Sequence, residues 1–223
     1  MIKNGELDII NLDGLGDLSA YYLHGTSDLV RVVTAKHVGI DYIALNESVK
    51  PLDDVRVRKA LQLALDRQAL LDAVYNGAGR LENGIFPYGL YGYNPEIAPI
   101  SYDPKRAKEL LKEAGLSDGF DLSVSMRATS SQWQRQLIEI AKSMWEEIGV
   151  VSEIVEMRND EFLNKRREGT LSVYTGPWSA DFNDPDDFID PFFGTKKNSF
   201  SRSLCYADEV TLRRVQLARG IVD

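Results

Sequence analysis

The chain has 223 residues, 43% of them hydrophobic and 27% charged, enough for one large domain or two small ones around a sizeable buried core. Its net charge of -8 and the scatter of its basic residues exclude nucleic acid as the main partner, because phosphate contacts need clustered lysine and arginine. No run of about 18 apolar residues is present to cross a bilayer, and the single cysteine, Cys205, excludes an internal disulfide.

The opening "MIKNGELDII" lacks the charged, apolar and small-residue regions of a signal peptide. Two readings follow, a cytosolic protein or a piece that begins inside a longer chain. Ile2 to Ile10 reads as a short strand around Gly5, and residues 11–36 suggest no element. "DYIALN", 41–46, has strand character, with Tyr42, Ala44 and Asn46 on one side. After Pro51, Val57, Leu61, Ala64, Leu65, Leu71 and Val74 recur at helical spacing. Asp53 or Asp54 suits the N-cap, Asp66 suits the cap of a second helix, and Gly77 suits its end.

From Gly77 to Tyr102 glycine, proline and tyrosine dominate, which predicts a long irregular segment of the kind that is commonly functional. Asp103 then caps a helix with Pro104 at its first position and Gly115 at its end. Alternation of Phe120, Leu122, Val124 and Met126 predicts a strand, and Leu137, Ala141, Met144, Trp145 and Ile148 give the apolar stripe of a helix over 131–148. A strand at "VVSEIVEM", a short helix at "DEFLNKRREG" and a strand at "TLSVYTG" follow. Lys165 to Arg167 in that helix read as a solvated face. The alternation of strands and helices implies an α/β fold with right-handed crossovers on a partly parallel sheet.

The last of these strands delivers the chain to "GPWSADFNDPDDFIDPFF", residues 176–193. Open α/β sheets place their ligands just past the carboxyl ends of strands. One reading of "DFNDPDD" is a capped turn, in which Asp and Asn side chains bond nearby amides and Pro185 fixes a turn before a short helix over 186–193. A calcium loop fails at Pro185, where an oxygen ligand is needed. Two carboxylates for glycoside hydrolysis are numerically available, an enzyme alternative. His24 and His37 have no partners at ligand spacing, so no metal site and no cofactor is expected. Ser179 lacks the glycines of a nucleophile elbow. Tyr88, Tyr91 and Tyr93 either line a pocket or pack their loop onto the core.

Two segments carry a resemblance. "KPLDDVRVRKALQLALDRQALLDAVYNGAG" with "GIFPYGLYGY", and then "GPWSADFNDPDDFIDPFF", resemble the family 5 solute-binding proteins of ABC importers, the group that contains the oligopeptide and dipeptide receptors. The first resembles that family's Asp, Val-Arg, Ala-x-Asp-Arg signature and the second its Trp-x-x-Asp-x-x-x-Pro element. The resemblance implies a periplasmic-binding-protein type II-like lobe, a mixed sheet flanked by helices, with residues 1–223 forming the second, C-terminal lobe of a two-lobed protein and hinge segments at 1–10 and near the C-terminus. It implies a non-catalytic role, the capture of a peptide or related small solute between two lobes for import. The implied partners are that solute, the permease subunits and the N-terminal lobe, with no nucleic acid and no direct membrane insertion. The implied location is periplasmic or extracellular, with a lipoprotein anchor on the full-length protein.

In peptide-binding members the aspartate of this element holds the α-ammonium, so the resemblance implies that role for Asp181, with Trp178 as a flat wall and Tyr174, Tyr88 and Tyr91 as further lining. Members with the same element also carry nickel complexes or oligosaccharides, and the loop here reads Phe-Pro-Tyr-Gly where the peptide receptors have Pro-Pro-Gly. The same domain also serves as the sensor of some transcriptional regulators.

Overall fold

The computed structural model describes residues 38–221 together with Glu6, Asp8 and Ile9. The strand expected over 2–10 falls almost wholly outside the described residues, as do residues 11–36, His24 and His37. Four strands form one sheet: β1 (Gly39–Leu45), β2 (Phe120–Arg127), β3 (Val150–Met157) and β4 (Val173–Ser179), in the spatial order β1-β4-β2-β3. β2 runs parallel to both β3 and β4, and β1 pairs antiparallel with β4. The sheet is therefore mixed, as expected.

The helices begin where short acidic or hydroxyl side chains can accept orphan amides. Asp54 accepts from Arg56 N–H to start α1 (Val55–Leu63), and Asp66 accepts from Ala69 N–H to start α2 (Arg67–Tyr75). Asp103 caps α3 (Pro104–Glu113), with Pro104 in its first turn. Ser131 and Gln134 form a reciprocal capping box at the start of α4 (Gln132–Glu146). The short α5 (Asn159–Arg167) joins β3 to β4.

Crossover handedness sets the layers. β3 lies on one side of β2 and β4 on the other, so the connections β2-α4-β3 and β3-α5-β4 travel in opposite directions across the sheet, and right-handed crossovers then place α4 and α5 on opposite faces. The core divides accordingly. Leu122, Val124 and Met126 of β2 and Val173 of β4 pack with Ile138, Ala141 and Trp145 of α4 and with the α1–α3 pair. Ala44, Tyr174 and Met157 pack on the other face with Phe162 of α5.

Beyond β4 come α6 (Asp186–Ile189), a π-helical turn (Asp190–Gly194), α7 (Lys196–Ser201) and α8 (Glu209–Ala218). The single helix expected over 186–193 is thus two pieces. Widening the turn at Asp190 sets its carboxylate beside Gly194, where any β-carbon would collide with it. No helix among the described residues is long and apolar enough to cross a membrane.

Candidate functional site

The carboxyl ends of the three mutually aligned strands, β2, β3 and β4, share one edge, and the chain leaves them toward opposite faces. That edge is where open α/β sheets bind ligands. β4 runs further than its sequence suggests, because β1 supplies ladder partners as far as Gly39 opposite Ser179. Trp178 is therefore still a strand residue, paired with Ile40.

Trp178 is held on three sides. Its indole Nε1 donates to the Asp187 carbonyl at 2.8 Å, and its ring meets Phe192 edge to face at 5.1 Å. The Arg202 guanidinium lies 4.5 Å from the ring centroid. One face of the indole is thus covered and its orientation fixed, the arrangement expected of a wall that does not need to reorganise on binding.

The five aspartates of the acidic segment have different fates. Asp184 accepts from Asp186 N–H at 2.8 Å through its carboxylate and from Asp187 N–H at 3.1 Å through its carbonyl, so it closes the turn. Asp186 and Asp190 both pair with Arg219 of the C-terminal segment, at 2.9 and 2.8 Å. Asp187 is buried, 7% exposed, and its Oδ2 accepts from the Asp181 backbone N–H at 2.7 Å. Asp181 is exposed, as Asp184 is, and its carboxylate alone of the five has no hydrogen bond or ion pair with the described residues. The capped-turn reading accounts for Asp184 and Asp187, whose bonds fix the loop that presents Asp181.

The remaining sequence candidates separate in space. Tyr174 is withdrawn from the lining: it is 1% exposed, packs edge to face on Phe162 at 5.7 Å, and donates its hydroxyl to the Arg202 carbonyl at 2.6 Å. Both faces of β4 are covered, so alternation turns Tyr174 into the second core. Burial, with Tyr42 alongside, pushes its hydroxyl well above the usual tyrosine range. Tyr88 and Tyr93 pack edge to face at 5.6 Å and share Arg80, which lies 4.4 Å over the Tyr88 ring. They consolidate their own loop. Tyr91 is 72% exposed. The loop nevertheless borders the acidic segment, because a β-carbon at Gly92, whose φ is +81, would stand in ordinary contact with the Pro185 ring at 3.5 Å.

Two contributors carry no signal in the sequence. Asp187 is one of five similar aspartates, and only its burial distinguishes it. Arg202 lies 24 residues beyond Trp178 and reaches it through the turn of the α6–α7 segment. Burial first, and the Arg166 guanidinium second, pull Arg202 below the ordinary arginine value. A separate cavity of about 340 Å³ runs along the outer edge of β1, lined by Tyr42, Phe192, Phe193 and Tyr206 among others. Neither Trp178 nor Asp181 borders it, but it adjoins the candidate site through Phe192, whose ring packs on Trp178.

The chain matches "Bacterial extracellular solute-binding proteins, family 5 Middle" over residues 1–200. It is 33% identical over 198 residues to heme-binding protein A of Haemophilus influenzae, an alignment that covers 87% of this chain and 36% of that protein. It is also 33% identical over 175 residues to the dipeptide-binding protein of Escherichia coli, covering 76% and 33% of the two. Among solved structures, the dipeptide-binding protein of Pseudoalteromonas sp. SM9913 in complex with Met-Leu superposes with a TM-score of 0.79 at 27% identity, over 97% of this chain and 46% of that one. The chain therefore spans between a third and a half of the length of these relatives.

Proposed function

Because the chain belongs to the bacterial extracellular solute-binding proteins of family 5, we propose that it is the second lobe of a two-lobed receptor that captures a peptide and delivers it to the permease subunits of an ABC importer. Family members are solute-binding proteins of transport systems, and this lobe works by binding without catalysis. The complete protein acts outside the cytoplasmic membrane, held near its permease by a lipid anchor.

The observation that supports peptide capture is the state of Asp181. A carboxylate that keeps no partner among the described residues, on a loop pinned by Asp187 beside an immobilised indole, is arranged to meet a cation from outside. When the lobes close, that carboxylate loses water, which is costly unless a cation replaces it. A peptide α-ammonium does so with charge-assisted hydrogen bonds. Trp178 supplies a flat apolar surface that accepts varied side chains without selecting one. The similarity to dipeptide-binding proteins supports the same solute class. Hinge closure then converts the loaded receptor into the form that docks on the permease.

Binding sites of this kind enclose most of the ligand surface, and one lobe offers only one wall. Titration calorimetry should therefore find the 223-residue chain binding a dipeptide about 100-fold or more weakly than the complete receptor. Equal affinity for the two would contradict capture between lobes.

A further inference from the structure

One carboxylate gathers the glycine-rich segment between α2 and α3. Glu82 Oε1 accepts from the Tyr88 backbone N–H at 3.1 Å and pairs with Arg80 Nε at 3.0 Å. Its Oε2 is buried without a hydrogen-bond partner among the described residues. Arg80 carries the tie onward, donating to the Tyr93 hydroxyl at 2.6 Å while it lies over the Tyr88 ring. Behind Glu82 stands Arg67, the first residue of α2, whose guanidinium donates to the Glu82 carbonyl and, at 3.2 Å, to Asn83 Oδ1. Asn83 Nδ2 in turn donates to the Ile97 carbonyl at 3.3 Å. Both arms of the loop are thus tied to the start of α2.

A carboxylate withdrawn from water with one oxygen unmet contributes little net stability, because its desolvation offsets the attraction of its partner. Its effect is to select one conformation of a segment that glycine would otherwise leave free to take many. That conformation brings the loop against the acidic segment. Gly92 stands beside Pro185, and Ile85 borders the same cavity as Phe192. Pro185 opens the turn into α6, where its carbonyl accepts from Phe188 N–H at 3.0 Å. Asp187, in the same turn, holds the Asp181 amide. A short line of contacts therefore runs from Glu82 through the loop to the residue that presents Asp181.

We propose that Glu82, braced by Arg67, is a positioning residue for the capture site: it sets the glycine-rich loop as the buttress of the Pro185 turn, and so fixes where Asp181 meets an α-ammonium. This rests on the peptide-capture reading. Glu82 acts through the loop without touching the solute, and its loss is felt at Asp181 as a displaced carboxylate. An ammonium held by directed, charge-assisted hydrogen bonds is sensitive to such a displacement, whereas an acetylated N-terminus, which brings no cation, is not.

The test combines calorimetry on the complete two-lobe receptor, with Ala-Ala-Ala and its N-acetyl form, and hydrogen exchange of the same protein read by mass spectrometry. Glu82→Ala removes both bonds of the carboxylate. It should cut the preference for the free peptide by about 10-fold and speed exchange at residues 84–93 and 182–188, while β2 and α4 keep their protection. Glu82→Gln keeps an acceptor for the Tyr88 amide and loses the charge that meets Arg80. It should restore part of the preference, and it covers a failure of the alanine variant to fold. Equal weakening of the free and acetylated peptides by Glu82→Ala would overturn the proposal and make Glu82 a structural residue of its loop. An unchanged preference would overturn it as well, even with faster exchange at 84–93. A wild-type receptor that does not prefer the free peptide would remove the capture reading itself, and exchange at 182–188 in Glu82→Ala would then decide the coupling by itself: unchanged protection there would contradict it.

Discussion

Replacing Asp181 with asparagine in the complete receptor is expected to weaken peptides with a free N-terminus by about 30-fold or more, on the scale of losing one partner of a buried, hydrogen-bonded charge pair. The same change should alter N-acetylated peptides by no more than about threefold, because they bring no cation to the site. The difference between the two peptide classes is the informative quantity. The Asp181 side chain has no hydrogen bond or ion pair among the described residues, while its backbone N–H, which has one, survives the substitution and still bonds to Asp187. Melting temperature should therefore stay near wild type. Equal losses for free and acetylated peptides, measured by calorimetry, would mean that Asp181 shapes the loop without touching the ammonium.

The second large effect concerns stability. Trp145 is 1% exposed at the centre of the first core, and its indole Nε1 donates to the Leu61 carbonyl at 3.0 Å. That carbonyl lies in the last turn of α1, where the chain leaves the helix and Leu65 N–H bonds to Gln62 instead. Trp145 thus fills the space between α4 and α1 and also satisfies a helix end. Trp145→Ala should cost about 3–5 kcal/mol from the cavity alone, a large share of the stability of an ordinary domain. Trp145→Phe keeps most of the volume and orphans only the carbonyl, for about 1–3 kcal/mol. Denaturant unfolding of the two variants checks the order, and a phenylalanine variant as unstable as the alanine one would place the weight on the hydrogen bond instead of the packing.

Where local rules decide, the sequence was readable. Asp54, Asp66 and Asp103 cap helices because a short carboxylate reaches an amide two or three residues on, and the apolar stripe of residues 132–146 needs nothing beyond its own spacing. The site was readable only in part. The aspartate and tryptophan of the acidic segment stand together because they are only three positions apart, and the structure sets both at the carboxyl edge of the sheet. Tyr174 misled because β4 is covered on both faces, so alternation in the sequence does not say which side meets solvent. The π-helical turn at Asp190–Gly194 depends on how one aspartate fits against one glycine, and the approach of Arg202 to Trp178 depends on the path of the whole α6–α7 segment. Neither leaves a mark in residue spacing. The sequence leaves Tyr88 and Tyr93 open between pocket and packing, and the stacking of Arg80 on both rings depends on the path of the loop.

The central claim is that this lobe is one wall of a peptide receptor whose Asp181 meets an α-ammonium. Gentle native mass spectrometry of the complete two-lobe protein, purified from its own host, tests it most directly. The account predicts a ladder of copurified peptide masses, diverse in side chain because Trp178 does not select and lost when Asp181 is replaced by asparagine. A single non-peptide mass that persists in the Asp181→Asn protein would contradict it.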